Sequence, residues 1–422
     1  MRLERGIFAR TLRSEAAWIF TALALRFAFA AVLGERYYQA DEGGYGSLAR
    51  SLAGYGVYGK DGTPMVGSLG APAFFSVFFR LSESPLWARM GQAAVSAATA
   101  WMGGRLARQI TGRARAGIFA LAVFSVYPFF VYYSGMLLSE TLYLAATVAG
   151  LWGMVASLQD KGRDTWKAAV AGAAWSAACL TRTEGVAIAA VLWAAIFLIA
   201  AAKRYAKDAW ILAVLIWALP LFGWAARNKA ISGVYALDLH GGMTFLHGTM
   251  LYDIDQEDTS FSQQAFELTD LYRRGRELEE AARDRLYFNA AVQFMKENPK
   301  TTFRHWIQKT VAFWRFYPRT DKVYPNDAAT RPDVGASRRV LVAVSLLFEP
   351  ALILAGFAGA WSYRRRWDTL FPLFWMVAAT FGVHVIVVSQ MRYRLPVMPV
   401  LIVFACAWLN GLIGPEEESG CV

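Results

Sequence analysis

Residues 38–45 read YQADEGGY and follow the first long apolar run of the chain, residues 16–33. Asp41 and Glu42 thus lie just beyond a segment that is long enough to cross a membrane as a helix. The two glycines after them let the backbone turn tightly or approach a ligand closely. A carboxylate beside an apolar surface can gain the proton affinity that a general base needs. The alternative is a pair of solvated acids in a surface loop, and the rest of the chain has to decide between the two interpretations.

The composition is that of a membrane protein. The chain has 422 residues, of which 56% are hydrophobic and 18% charged, and its mean hydropathy is +0.31. Apolar runs of about 18–20 residues recur, which predicts an all-α polytopic membrane protein. The net charge of +11 is typical of basic cytoplasmic loops, so no nucleic acid is expected as a partner. Cys179, Cys406 and Cys421 are scattered without a CxxC pair, which indicates neither a disulfide framework nor a zinc site.

The apolar runs predict about ten membrane spans. They are residues 16–33, 85–107, 117–133, 141–158, 168–180, 185–202, 209–226, 340–361, 369–388 and 395–413.

Three regions follow from these spans. Residues 1–226 form an N-terminal transmembrane module that carries the loop 34–84, whose residues 45–58 are amphipathic enough to lie along the interface. Residues 227–339 form a polar and mostly helical segment, with helices predicted at 277–294 and 301–316 and a loop at 317–339. Residues 340–422 hold the last helices and a tail.

Basic residues are concentrated in every second loop, and the N-terminus precedes the first span with four arginines. This alternation predicts a cytoplasmic N-terminus and places the loop 34–84 and the segment 227–339 on the extracytoplasmic side. We therefore expect an integral protein of the bacterial inner membrane, with its active site on the outer face.

Four sets of charged residues fall at span ends on that predicted outer face. They are Asp41 with Glu42, Glu140, Arg182 with Glu184, and Arg392 with Arg394. Each has a plainer interpretation: Glu140 as a helix N-terminal acid, Arg182 and Glu184 as a mutual pair, and the last two arginines as interfacial snorkelling side chains. Because charges at the hydrocarbon boundary usually pair or line a cavity, four sets on one face predict a shared polar cavity.

Carboxylates and arginines at this depth suit one kind of chemistry. Guanidinium groups match phosphate oxygens, and a carboxylate can take the proton of an attacking hydroxyl. A lipid phosphate would present its phosphate here while its tail stays in the bilayer. No ATP is expected on this face, and no GxxxxGK[ST] motif is present.

The order and spacing of several short motifs resemble a known family. These are DEGGY at 41–45, LARSL at 48–52, GAPAF at 70–74, YP at 127–128, LSET at 138–141, TRTEG at 181–185, RN at 227–228, GG at 241–242 and RYRLP at 392–396. Together they resemble the polyprenyl-phosphate-dependent glycosyltransferases of the membrane GT-C class, and within it the group of protein O-mannosyltransferases and lipid A aminoarabinose transferases. The resemblance covers nearly the whole chain and implies a GT-C-like helix bundle.

The resemblance also implies an activity: a sugar passes from a polyprenyl-phosphate donor to a hydroxyl acceptor on a lipid, glycan or protein, with inversion. Asp41 corresponds to the catalytic base, and Glu42 is the second choice. If both lie in an extended turn, their side chains point to opposite sides. Glu140 would position the acceptor or help to hold a divalent metal ion, although no cofactor is certain.

Further substrate-binding residues are implied in the same way. The donor phosphate would meet outer-face arginines, and the substrate-binding set is Glu140, Arg182, Glu184, His240, His247, Arg392, Tyr393 and Arg394. One departure matters, because the lipid A transferases carry Glu-Lys-Pro where this chain has Gly-Ala-Pro at 70–72. The lysine expected to touch the donor phosphate is missing, which argues against aminoarabinose as the sugar.

Two other classes of protein compete with this interpretation. A transporter or flippase of a lipid-linked or anionic substrate could use the same arginines, but transporters usually place broken helices and charges at the midplane. A membrane scaffold has no need of Asp41 and Glu140 near convergent arginines. The expected partners are therefore a polyprenyl-phosphate sugar, membrane lipids and a hydroxyl acceptor.

Overall fold

A computed structural model describes residues 2–252, 266–267, 269–316 and 334–413. In the first half of the chain the helices are α1 (Arg2–Leu33), α2 (Ala40–Tyr55), α3 (Gly70–Phe79), α4 (Pro85–Thr111), α5 (Ala114–Val126), α6 (Pro128–Gly135), α7 (Glu140–Gln159), α8 (Thr165–Thr181), α9 (Glu184–Lys203) and α10 (Asp208–Ser232). The later helices are α11 (Gly241–His247), α12 (Asp270–Arg276), α13 (Glu280–Glu297), α14 (Pro299–Trp314), α15 (Val334–Ser362), α16 (Trp367–Ile386) and α17 (Met398–Leu412). Strands β1 (Gly59–Lys60) and β2 (Thr63–Pro64) form a small antiparallel hairpin, and 3₁₀ turns cover Arg364–Arg366 and Met391–Arg394.

Helices occupy all ten predicted span positions, but fewer of them qualify as membrane spans. Within the described residues, six helices are long and apolar enough to cross a membrane, or seven if α5 and α6 form one bent span. Helix α8 has 17 residues and α17 has 15, while α4 carries polar groups such as Arg89 and Gln92 in its interior. The predicted number of ten spans is therefore not confirmed, although an integral membrane protein is.

The bend between α5 and α6 explains a charge inside the first span. The two helices meet at 51° around Tyr127, because Pro128 has no N–H to offer the carbonyl of Phe124. Arg26 of α1, which is 0% exposed, donates to that carbonyl at 2.9 Å, to the carbonyl of Ser125 at 2.8 Å and to Ser96 Oγ at 2.8 Å. A buried guanidinium thus satisfies carbonyls that the helix break leaves without partners.

The chain forms two compact units. The first comprises Met1–Gly223, Ala351–Val377 and Leu395–Val422, and the second comprises Trp224–Pro350 and Ala378–Arg394. The loop with Asp41 belongs to the first unit, and the predicted extracytoplasmic segment 227–339 falls within the range of the second.

Small residues allow the helices of the first unit to pack closely. A Cβ on Gly150 of α7 would lie 2.7 Å from the Trp175 ring of α8, and one on Gly153 would lie 2.7 Å from a backbone oxygen of the same helix. Such close approach is typical of helix pairs in membranes, where packing replaces the hydrophobic effect as the driving force.

The loop after α1 differs from the sequence prediction in one respect. Asp41 and Glu42 do not lie in an extended turn, because α2 begins at Ala40 and includes both in its first turn. Their side chains are therefore about 100° apart around the helix instead of on opposite sides. The amphipathic stretch 45–58 is helical to Tyr55, and the hairpin that follows turns at Asp61 and Gly62, both with positive φ.

The second unit has its own core, formed by Phe245, Leu246, Leu251, Phe266, Tyr287 and Ala291. Its helices α13 and α14 confirm the two helices predicted at 277–294 and 301–316. Most of the predicted loop 317–339 lies outside the described residues, and its last part belongs to α15.

Candidate active site

Glu42 is a buried carboxylate that accepts hydrogen bonds from four donors. Its Oε2 accepts from the backbone N–H groups of Tyr38 at 2.5 Å and Gln39 at 2.9 Å. Its Oε1 accepts from Arg89 Nη1 at 3.0 Å and from the N–H of Leu137 at 2.9 Å. The side chain is 0% exposed. Four donors around two oxygens leave no lone pair directed at a substrate, so Glu42 anchors the N-terminus of α2.

Arg89 extends this anchor to the loops on either side. Its guanidinium also donates to the carbonyl of Gly135 at 2.5 Å and to the carbonyl of Arg36. One turn further along α4, Gln92 Nε2 donates to the carbonyls of Tyr133, Ser134 and Met136. One face of α4 therefore fixes both the α1–α2 connection and the α6–α7 connection.

Sequence reasoning missed these two residues. They lie within the predicted span 85–107, and no motif marks them. The available signal was their spacing, since two polar side chains three residues apart share one face of a helix, and such groups inside a span usually face the bundle interior.

Asp41 has the opposite environment from its neighbour. It is exposed, and it shares a face of α2 with Tyr45 because the two are four residues apart. Burial raises the pKa of the Tyr45 hydroxyl, which is hydrogen-bonded to the Ser139 side chain and feels the charges of Glu140, Arg182 and Asp41. Tyr45 therefore lies within electrostatic reach of both the exposed acid and the ion pairs at the start of α7.

Those ion pairs bring three predicted site residues together. Arg182 Nη1 lies 3.5 Å from Glu140 Oε1, and Arg182 Nε lies 3.1 Å from Glu184 Oε1. Glu140 is 6% exposed, and the guanidinium lies 5.7 Å from the centre of the Tyr143 ring. The mutual pairing of Arg182 and Glu184 is thus observed, with Glu140 as a second partner. Two carboxylates therefore flank one guanidinium, so acidic groups outnumber basic ones in this cluster.

The position of the missing lysine, at the start of α3, is closely packed. A Cβ on Gly70 would lie 2.2 Å from Thr181 Oγ1 and 2.8 Å from its Cα, and the next residue, Ala71, is 0% exposed. The start of α3 is therefore packed directly on the end of α8. Ala71 itself belongs to a buried cluster with Ala49, Phe75 and Ala88.

The other predicted site residues belong to the second unit. Arg394 is 1% exposed. Its Nη1 donates to the carbonyls of Phe313 and Arg315, each at 2.9 Å, and its Nη2 donates to Glu349 Oε2 at 2.5 Å. Arg394 is therefore engaged in closing the C-terminus of α14 and in a buried ion pair, whereas the sequence analysis placed it at the outer face as a snorkelling side chain or a contact for the donor phosphate.

Arg392 and Tyr393 are half-buried and lie next to Arg394 in the same turn. Arg392 Nη2 donates to the Tyr393 hydroxyl at 3.2 Å. The Tyr393 ring stacks on His384 with centroids 4.5 Å apart and an interplanar angle of 7°. These contacts orient the Met391–Arg394 turn and keep the Arg392 guanidinium closer to the surface than that of Arg394.

The two predicted histidines lie around α11. His240 precedes the helix, and its Nδ1 lies 2.6 Å from Asp238 Oδ1, a hydrogen bond that raises the pKa of the imidazole. His247 ends the helix, with its ring 6.3 Å from that of Phe266. Gly242 between them donates its N–H to Asp284 at 2.6 Å and has no room for a Cβ.

Among the described residues, no group of three or more His, Cys, Asp or Glu side chains is arranged to hold a metal ion. Cys179 and Cys406 are buried thiols without a disulfide, and Cys421 lies outside the described residues.

Comparison with known proteins identifies the fold. No protein-family model and no curated protein matches the sequence. The oligosaccharyltransferase AglB from Archaeoglobus fulgidus, in complex with an inhibitory peptide and a dolichol-phosphate, has a TM-score of 0.57 and 14% identity over 96% of this chain and 50% of that chain. A structure of the oligosaccharyltransferase from the same organism, tethered to an acceptor peptide with the NVT sequon, has a TM-score of 0.57 and 15% identity over 96% and 49%. ArnT from Cupriavidus metallidurans, bound to undecaprenyl phosphate, has a TM-score of 0.42 and 14% identity over 95% and 77%.

The two likenesses with a TM-score of 0.57 show the architecture. The chain is an all-α membrane protein with the GT-C fold, apart from its short hairpin, as its motifs predicted. It spans about half the length of the archaeal oligosaccharyltransferase chains that it matches. A shared fold does not by itself carry an activity, which has to be argued from the site.

Proposed function

We propose that the chain is an inverting glycosyltransferase that moves a sugar from a polyprenyl-phosphate donor to a hydroxyl acceptor at the extracytoplasmic membrane face. The observation that carries the proposal is the contrast between two adjacent acids. Glu42 is enclosed and bonded to four donors, whereas Asp41 is exposed beside it in the same helical turn. An exposed carboxylate on a rigidly held helix terminus is what a general base requires.

The reaction needs one base. The acceptor hydroxyl attacks the anomeric carbon, its proton passes to the Asp41 carboxylate, and the new C–O bond forms as the bond to the phosphate oxygen breaks. Polyprenyl phosphate leaves as a stable anion and needs no acid. A single displacement of this kind inverts the anomeric configuration.

The cluster around Arg182 supports a role in positioning the acceptor. Arg182 is held between Glu140 and Glu184, at 3.5 and 3.1 Å, so its charge is already engaged. Carboxylates that are fixed in this way can accept hydrogen bonds from sugar or protein hydroxyls. We therefore assign Glu140 and Glu184 to the acceptor and retain Arg392 as the candidate contact for the donor phosphate.

No step is assigned to a metal ion, because the described side chains supply no set of three suitable ligands. The carboxylates of the cluster are nevertheless of the type that Mg²⁺ binds. Turnover measured with and without a chelator decides whether a divalent ion takes part.

The decisive experiment uses the purified protein in lipid vesicles with a labelled polyprenyl-phosphate sugar and a panel of hydroxyl acceptors. A glycosyltransferase releases polyprenyl phosphate and labels an acceptor, and the Asp41→Asn variant does neither. A transporter or flippase of the lipid-linked sugar, the competing function, moves intact donor across the bilayer without releasing it. Intact donor and transbilayer movement in this assay would overturn the proposal.

A further inference from the structure

Helix α14 has two faces of different character. Its buried face consists of Thr302, His305, Lys309 and Phe313. On the other side Phe303, Ile307 and Val311 are 61%, 53% and 60% exposed. These three lie four residues apart and form one continuous apolar row along the helix. An exposed apolar row of this kind marks an interaction surface.

The buried face fixes where this row lies. Lys309 Nζ donates to the carbonyls of Ile386 at 2.9 Å and Val387 at 3.0 Å, at the C-terminal end of α16. In return, Ser389 Oγ donates to the carbonyl of Lys309 at 2.9 Å. Helix α16 belongs to a segment long and apolar enough to cross a membrane. Helix α14 is therefore attached at the end of a span, at the depth of a membrane boundary.

Basic residues accompany the apolar row. Lys300 and Arg304 are both exposed, and on the helix they lie beside Phe303 and Ile307. Apolar side chains next to cations suit the boundary between acyl chains and anionic headgroups. Another protein or a second copy of this chain would have to offer apolar groups to the apolar row and acidic groups to Lys300 and Arg304, at this same depth.

We propose that the exposed face of α14 docks on an anionic lipid surface. Phe303, Ile307 and Val311 enter the acyl boundary, and Lys300 and Arg304 meet lipid phosphates. The same helix holds the Met391–Arg394 turn through the bonds from Arg394 to its last carbonyls. Lipid contact with α14 therefore helps to fix the turn that carries Arg392.

The first test measures depth with the full chain in vesicles that contain phosphatidylglycerol. Cys421 is replaced by serine. Cys179 and Cys406 are retained, because they are buried. Single cysteines at 303, 307, 311 and, as a control, exposed position 308 then carry a fluorophore. We expect lipids brominated near the headgroup to quench the first three labels, which should lie roughly 5–10 Å below the surface. Aqueous iodide should quench the label at 308.

Two results would overturn the proposal. Iodide would reach all four labels equally if the row were solvated. If a second copy covered the row, the labels at 303, 307 and 311 would be shielded from iodide and from brominated lipid alike, and cysteines there would cross-link between copies. Neither measurement depends on enzymatic activity, so the outcome is independent of the proposed function.

The second test concerns lipid charge. Replacing Lys300 and Arg304 by Gln should reduce the enrichment of phosphatidylglycerol over phosphatidylcholine around the label at 307. The expected reduction is roughly fivefold per cation. Lys296→Gln is the matched control, because this exposed cation lies on α13. An unchanged preference in the double variant, or an equal loss in the control, would show that the basic row does not select the lipid.

Discussion

Glu42 and Arg89, 47 residues apart, form an ion pair of 3.0 Å in which neither side chain is exposed. The pair joins the first turn of α2 to the interior of α4. Both charged groups also bond to backbone groups of the α1–α2 and α6–α7 connections. The exposed acid next to Glu42 therefore owes its position to a buried pair that does not itself face the substrate.

Removing one partner of this pair should destabilise the fold. Arg89→Met would leave Glu42 buried without its cation, which costs about 3–5 kcal/mol in the free energy of unfolding. The control is Glu83→Gln, which breaks the exposed pair between Glu83 and Arg50 and should cost less than about 1 kcal/mol. Thermal unfolding in detergent measures both, and equal melting temperatures would contradict a structural role for the pair.

The Asp41→Asn substitution should act on turnover alone. We expect a loss of at least ~10²-fold, as for removal of a general base, with a normal melting temperature because Asp41 is exposed. Asp61→Asn is the matched control, since it changes another exposed carboxylate, at the tip of the hairpin in the same predicted loop. Nearly full activity in Asp41→Asn would remove the proposed base.

Part of this site could be predicted from the sequence alone. It identified the acid pair and the first span, because both are local patterns. It could not rank Asp41 and Glu42 by environment, since the partner of Glu42 lies in another helix and Leu137 donates from a distant loop. Likewise, Arg394 was predicted at an accessible boundary, because nothing in residues 392–396 reveals Glu349 in α15. The predicted count of ten spans stays unconfirmed at α4, α8 and α17, because these helices are shorter or less apolar than the six that are long and apolar enough to cross a membrane.

The two arginines of the Met391–Arg394 turn should respond differently to substitution. Arg392→Ala should weaken donor use by roughly tenfold or more, because a charge-assisted contact with phosphate contributes about 1.5–3 kcal/mol. Arg394→Ala should instead lower the free energy of unfolding by about 3–5 kcal/mol, because it leaves Glu349 buried without its cation.

Donor titration and thermal unfolding separate the two effects. The Arg394→Ala/Glu349→Ala double variant should be more stable than Arg394→Ala alone. If Arg392→Ala binds and uses donor normally, the phosphate contact is made by another group.

Lys309 should make stability depend on alkaline pH. Burial lowers the pKa of its ammonium from 10.5 to about 8. Between these values the unfolded chain still holds the proton that the folded chain has released, so the free energy of unfolding rises with pH. Melting temperatures across that range should rise for the native chain, and Lys309→Met should remove the contribution. The same slope in the variant would assign it to other groups.

The proposed orientation can be tested with an impermeant thiol reagent on intact cells. A cysteine at position 61, in the loop predicted outside, should be labelled. A cysteine at position 163, in the exposed connection between α7 and α8 that is predicted inside, should react only after the cells are opened. Equal labelling at both positions would contradict the proposed extracytoplasmic location of Asp41.

The Arg26 contacts have a consequence for biosynthesis. The acceptors of its guanidinium, Ser96, Phe124 and Ser125, lie 70, 98 and 99 residues further along the chain. At a translation rate of about 5–20 residues per second, the last of them is made roughly 5–20 s after Arg26. Helix α1 therefore enters the membrane with an uncompensated charge, which an insertion machinery tolerates at a cost of about 2.5–3.5 kcal/mol. The arrival of α5 then relieves that cost and fixes the order in which these helices assemble.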